Sequence, residues 1–141
     1  MPQSATARPN PAPGFAKRPD HTIDLKPCPK RIRTYLGDTC VADTTRALVM
    51  QEGPYPPVYY LPRDDVRMNL LAPTDHHTYC PFKGEARYWT VDTGGKTAEN
   101  AVWGYDTPYD EMAALKDYVA FYWDRMDRWY EDDNEVSTPS A

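Results

Sequence analysis

The chain has 141 residues, with 16 Lys and Arg against 21 Asp and Glu, for a formal charge of −5. That length suits one domain, and the acidic balance argues against a strongly basic nucleic-acid binder, so no nucleic acid is expected as partner. No apolar run approaches the roughly 18 residues of a membrane span, the first twenty residues lack an apolar signal core, and the three cysteines, Cys28, Cys40 and Cys80, do not form a disulfide framework. The expectation is a cytoplasmic, single-domain protein with no membrane contact.

Five of the fifteen prolines (Pro2, Pro9, Pro11, Pro13 and Pro19) lie in the first twenty residues, where Phe15 is the only large apolar side chain. Such a stretch buries too little surface to offset its ordering entropy. Residues 1–20 are therefore expected as a disordered or loosely ordered basic arm, 21–131 as the structured body, and 132–141 as a flexible acidic and polar tail. Residues 1–33 carry seven bases against two acids, a net of +5, while 105–135 carry ten acids against three bases, a net of −7. Charge runs of this kind are mostly solvated faces. The sharper reading is an arm that touches an acidic protein partner, or the chain's own acidic C-terminal region.

Within the body, His21–Leu25 and Arg31–Leu36 alternate polar and apolar residues as half-buried strands do. Gly37-Asp38 reads as a tight turn into a strand over Thr39–Asp43. Residues 45–51 continue as a strand, 53–57 form a loop, and Val58–Leu61 is a short strand. Pro62 and the acidic pair Asp64-Asp65 suit the start of a helix. Val66 and Leu70 share one face of it, and Pro73 ends it. Residues 83–105 read as a hairpin turning at Gly94-Gly95. That register sets Tyr88 opposite Ala101, Ala86 opposite Trp103 and Gly84 opposite Tyr105, each ring against a small residue. Glu85, Arg87, Trp89 and Val91 occupy the other face. A short helix is expected over 108–116, started by Thr107-Pro108, and a strand from Tyr118 to Trp123. The fold class is thus mainly β, with one or two short helices. Sixteen of the eighteen aromatic residues fall between Tyr55 and Tyr130, so rings supply most of the core.

Cys80-Pro-Phe-Lys-Gly84 is the most distinctive segment. Proline and glycine fix a sharp backbone path there and hold Cys80 and Lys83 at a strand mouth. A thiol beside a cation can be an activated nucleophile; the alternative is an inert thiol and a lysine that holds a carboxylate. Asp75-His76-His77 precedes Cys80 with ligand-type side chains, but there is no CxxC pair, and no metal site is read from it. Asp43 either caps the following turn or is a pocket carboxylate. Tyr60, Trp89, Trp103 and Tyr105 are either core or the walls of an aromatic cage with Lys83 or Asp43 at its rim.

The series Val41-Ala42-Asp43, Tyr59-Tyr60-Leu61-Pro62 with Asp65-Val66, Cys80-Pro81-Phe82-Lys83-Gly84 with Ala86, Tyr88 and Trp89, Ala101-Val102-Trp103 with Tyr105 and Pro108, and Val119-Ala120-Phe121-Tyr122 resembles the domain of unknown function family DUF427 over roughly residues 21–131. The resemblance implies a β-tent-like arrangement of two antiparallel sheets, and a strand at Tyr118–Trp123. Zinc held by CxxC knuckles, found in other β-tent families, does not carry over, because this chain has no CxxC. A ligand cage built from tryptophans is a fold-level analogy that points to Trp89 and Trp103. The family's label hints at nucleotidyl transfer, yet the sequence reveals no pair of metal-binding acids on adjacent strands.

The function expected is binding of a small ligand or a modified side chain near the Cys80–Gly84 corner. Asp43, Tyr60, Cys80, Lys83, Trp89, Trp103 and Tyr105 are the candidate binding residues, and no metal or cofactor is expected. The alternatives are an enzyme of transferase or hydrolase type using Cys80 or Lys83, and a protein-interaction module working through the basic arm. Tyr and Trp serve interfaces as well as cores, which leaves a homodimer open.

Overall fold

A computed structural model describes residues 9–139 of the chain. The expected arm over residues 1–20 therefore lies partly outside the described residues, as does the end of the tail. The elements run α1 (Pro13–Lys17), β1 (Ile23–Pro27), β2 (Ile32–Leu36), β3 (Thr39–Thr44), β4 (Leu48–Glu52), β5 (Val58–Pro62), β6 (Leu71–Cys80), β7 (Gly84–Asp92), β8 (Thr97–Gly104), β9 (Tyr118–Phe121), β10 (Arg128–Glu131) and β11 (Asn134–Val136). The fold is mainly β, in two antiparallel sheets. The larger has seven strands in the order β1-β4-β5-β9-β8-β7-β6, and the smaller has four in the order β11-β10-β2-β3. No helix among the described residues is long and apolar enough to cross a membrane.

Alternation in the strands decides the layers. In β5, Tyr59 and Leu61 point one way and Tyr60 the other; in β9, Val119 and Phe121 oppose Ala120. One set packs with Ile32, Leu36, Val41 and Trp129 of the smaller sheet to form the inter-sheet core. The opposite set, with Ala86, Tyr88 and Tyr105, is covered by Met112 and Leu115 from a 3-10 segment (Asp110–Leu115) and by Phe15 of α1. Both faces of the larger sheet are thus buried in part, which explains how a body poor in aliphatics holds together. Each fully buried Val or Leu contributes roughly 1.5–3 kcal/mol.

Local expectations are corrected at several points. The helix expected after Pro62 is two single 3-10 turns, Arg63–Asp65 and Met68–Leu70. Arg67 N–H donates to the Val41 carbonyl at 2.8 Å, and Val66 bridges Ala42, so the chain is pinned to β3 before a helix can propagate. The polar run Asp75-His76-His77, where no strand was expected, lies within β6. β6 is an edge strand and almost wholly exposed, so it has no apolar alternation to betray it. Pro73 is tolerated there because an edge strand needs only one row of ladder bonds.

The hairpin register differs too. Near the turn Val91 pairs with Ala98 and Asp92 with Thr97, as a Gly94-Gly95 turn requires. A bulge then shifts the pairing by two, so that Tyr88 meets Trp103 and not Ala101. Asn100 marks it, with φ of 49°. The expected helix over 108–116 is the kinked 3-10 segment, and the strand from Tyr118 ends at Phe121.

The termini are more engaged than their composition suggests. Asn10 N–H donates to an Asp110 carboxylate oxygen at 2.7 Å, and Ala12 N–H to Glu111 at 2.8 Å. Residues 134–136 add β11 to the edge of β10. Among the described residues, 10–12 thus meet the acidic 110–111 segment through backbone groups.

Candidate functional site at the Cys80–Gly84 corner

The corner is built by the turn between β6 and β7. Cys80 and Gly84 face each other at the end of that pair, and Lys83 N–H closes the turn on the Cys80 carbonyl at 3.3 Å. Gly84 has φ of 122°, and a Cβ there would lie 3.3 Å from the Thr107 carbonyl oxygen. Glycine is thus required both by conformation and by the approach of the 107–109 segment, which Tyr109 N–H ties to the Lys83 carbonyl at 3.0 Å.

Helix α1 crosses above this turn. Gly14 N–H donates to the Pro81 carbonyl at 2.9 Å, and a Cβ on Gly14 would stand 2.7 Å from the Phe82 ring. Phe15 meets Phe82 edge-on at 5.0 Å, His21 stacks on Phe82 at 4.1 Å, and Phe15 and His21 lie 6.5 Å apart, so the three rings form one cluster.

A charged chain runs beneath these rings. Lys83 Nζ donates to Glu52 Oε1 at 2.6 Å, and the His21 ring nitrogen Nε2 lies 2.8 Å from Glu52 Oε2. The Lys83 side chain is 12% exposed, so its ion pair is well shielded from water. Burial pushes the Glu52 carboxyl up, but hydrogen bonds from Lys83 and His21 prevail and hold it below the ordinary carboxylate range. Strand pairing assembles this chain from distant sequence. Ile23 pairs with Glu52, and Gly53 N–H donates to the Thr22 carbonyl, which sets His21 alongside Glu52.

A cleft of about 590 Å³ opens outside the corner. His21, Tyr55, Tyr79 and Phe82 supply its rings, Pro13, Gly14 and Pro81 its backbone floor, and Lys17 and Arg18 its cationic edge. Behind the corner, Tyr60 and Tyr105 are buried. Burial drives both phenols well above their ordinary range, which keeps them neutral. Trp103 donates its indole N–H to the Tyr60 oxygen at 3.3 Å.

The structure does not gather the seven expected residues into one cage. Cys80 and Lys83 stand at the corner, with Cys80 half-buried and its thiol free. Lys83 is committed to Glu52. Asp43 lies on β3 of the smaller sheet, where Arg31 grips it with two bonds of 2.8 and 2.7 Å. The hydrogen bonds from Arg31, partly opposed by burial, hold that carboxyl below its usual range. Trp89 and Trp103 are on opposite faces of the larger sheet. Trp89 is 4% exposed, with the Arg63 and Arg87 guanidinium groups 5.0 and 4.6 Å from its ring. Tyr60 and Tyr105 fill the layer between Trp103 and the corner.

His21 and Glu52 are the residues that sequence reasoning missed. Nothing local joins positions 21, 52 and 83: the β1–β4 register sets His21 beside Glu52, and Lys83 reaches Glu52 from the β6–β7 turn through its side chain alone. Among the described residues no group of three His, Cys, Asp or Glu side chains is placed to hold a metal ion.

A search of curated proteins found no match to the chain. The family model described as "Domain of unknown function (DUF427)" matches residues 24–132. The chain belongs to that family, and the match spans β1 through the end of β10.

Proposed function

We propose that the protein is a ligand-binding module whose cleft beside Cys80–Gly84 takes a small, flat molecule carrying an anionic group. The observation that carries this reading is the pairing of ring walls with a cationic edge around a volume of ligand size. His21 and Phe82 form a stacked pair at 4.1 Å, Tyr55 and Tyr79 add two further rings to the lining, and Lys17 and Arg18 bring positive charge to it. Small-molecule sites commonly enclose roughly 300–1,000 Å³ and combine apolar walls with a few polar groups. The Lys83–Glu52–His21 chain fixes the imidazole from behind, so the wall is pre-organised.

A thermal-shift panel of nucleoside monophosphates, aromatic carboxylates and modified amino acids tests this reading. A binder held only by the folded chain stabilises it by about 2.7 kcal/mol at a hundredfold excess over its Kd. The hit should disappear in Phe82→Ala and weaken at least tenfold in His21→Gln, with both variants still folded by circular dichroism. A panel without a hit, or a hit indifferent to both substitutions, overturns the proposal.

One contact favours a catalytic second reading. A histidine whose Nε2 is held by a carboxylate at 2.8 Å has the geometry of an oriented general base. Turnover of a bound ester or phosphoester, abolished in His21→Gln while binding persists, would select that reading over simple binding.

A further inference from the structure

A second cleft, of about 430 Å³, opens on the inter-sheet face of the larger sheet, at its β1 edge. Strand register builds its floor. Asp24 pairs with Gln51 and Lys26 with Val49, and Val49 in turn pairs with Tyr59. Directly paired residues share a face, so these five side chains lie on one surface, and all of them line the cleft. The patterning is inverted here. Ile23, Leu25, Leu48 and Met50 turn to the opposite layer, and β1 gives the inter-sheet face a carboxylate and an ammonium group.

The cleft is tied to the smaller sheet through two of its lining residues. Tyr59 O–H donates to Glu131 at 2.5 Å, and Lys30 Nζ donates to the same carboxylate at 3.3 Å. Pro27, Cys28 and Pro29 add apolar lining, and Cys28 N–H holds them beside β4 through the Ala47 carbonyl at 2.8 Å.

The polar groups are sorted along β1. Gln51 donates its amide N–H groups to the Gly53 carbonyl at 3.0 Å and the Tyr55 carbonyl at 2.6 Å. Its nitrogen is thereby committed, and the amide oxygen is what it offers to an occupant. With the Asp24 carboxylate beside it, this end of the cleft only accepts hydrogen bonds. Two residues on, roughly 6–7 Å along the strand, the Lys26 ammonium only donates them. Among the described residues, neither Asp24 nor Lys26 uses its side chain in an ion pair or hydrogen bond. Charges guard many edge strands, but a guard needs neither an oriented amide nor an apolar floor.

We propose that this cleft binds a free α-amino acid with a large apolar side chain. Its ammonium group sits on Asp24 and the Gln51 oxygen, its carboxylate on Lys26, and its side chain on Val49 and Tyr59. A zwitterion satisfies both ends at once, whereas a simple anion or cation brings its charge beside a like one. The cleft shares no lining residue with the one at Cys80–Gly84, so the inference does not rest on that reading.

Calorimetric titration of the full chain with L-leucine, L-phenylalanine and L-tryptophan tests it, with glycine as reference. At least one of the three should bind one to one, about tenfold or more tighter than glycine. The N-acetyl and the carboxamide derivative of the tightest one each lack one charge, and each should bind about tenfold more weakly. Asp24→Asn and Lys26→Gln, at exposed positions, should each weaken binding by a similar factor with the fold intact by circular dichroism. His21→Gln should leave the affinity unchanged. No saturable binding of any of the three, a blocked derivative that binds as tightly as its parent, or indifference to either substitution overturns the proposal. Binding that is lost in Phe82→Ala but kept in Asp24→Asn and Lys26→Gln also overturns it, because the amino acid would then occupy the other cleft.

Discussion

Glu52 is charged because of its two partners. Burial alone would raise its carboxyl, and the bonds from Lys83 and His21 reverse that. In the unfolded chain the group titrates at its ordinary value of 4.5; in the folded chain it titrates lower. Its contribution to stability is therefore complete above 4.5 and is lost as pH falls through the lower folded value. Urea midpoints taken from about pH 6 to about pH 3 should fall accordingly, and Glu52→Gln should flatten that fall. At neutral pH the same substitution should cost about 2 kcal/mol, because Lys83 keeps its charge in a shielded position without a carboxylate. A pH profile in Glu52→Gln that matches the parent would remove Glu52 as the coupled group. Lys83 was legible as a residue of consequence because the Pro-Phe-Lys-Gly corner fixes its backbone. Its partner was not legible, because Glu52 lies 31 residues away and no strand pairing links β4 to the β6–β7 turn, so only the tertiary fold brings them together.

The β7–β8 hairpin illustrates the same limit at the scale of an element. Its turn follows from Gly94-Gly95, and its faces follow from alternation, so Tyr88 and Trp89 were assigned to opposite sides as observed. The bulge does not follow from alternation, because a shift of two preserves the faces while changing every partner beyond it. Asn100 holds that bulge in three ways. It adopts φ of 49°, its N–H donates to the Thr90 hydroxyl at 3.1 Å, and its side-chain oxygen accepts from the Thr74 hydroxyl at 2.7 Å. Asn100→Gly keeps the conformation and loses one hydrogen bond, for an expected cost of about 1 kcal/mol. Asn100→Val adds left-handed strain on a β-branched residue, so about 2–3 kcal/mol is expected. Equilibrium urea unfolding separates the two values, and equal losses would mean that strain at position 100 is not what the asparagine relieves. β6 stayed hidden for a different reason. An exposed edge strand whose pairing shifts register between Pro73 and His77 bonds to β7 on one side only and shows no burial pattern.

At the scale of the whole molecule, the seven-stranded sheet has two coverings of different kinds. The smaller sheet covers one face through an apolar core of aliphatic and ring side chains, and strand alternation made that layer legible. The other face is covered by the α1 region and the 110–115 segment, which bring Phe15, Met112 and Leu115 onto it and are also tied down by specific polar contacts. Composition alone pointed to a loose arm because it counts apolar area and not bonds made by backbone amides. The α1 covering rests on a close approach, since Gly14 leaves room for the Phe82 ring and for its own bond to Pro81. Gly14→Val places carbon where that ring stands, 2.7 Å from a Cβ, so either Phe82 or the helix must move. The expected outcome is an undocked α1 on an intact body. Amide exchange at Gly14 and Arg18, whose N–H groups donate to Pro81 and Gly14 in the docked form, should accelerate at least tenfold. Exchange in β5, β8 and β9 should stay as it was. Loss of α1 also removes Pro13, Gly14, Lys17 and Arg18 from the cleft, so any ligand found there should bind at least tenfold more weakly. Unchanged exchange at Gly14 and Arg18 would refute the close-approach argument. Faster exchange spreading into the central strands would make α1 a part of the folding core and not a separable cover over the site.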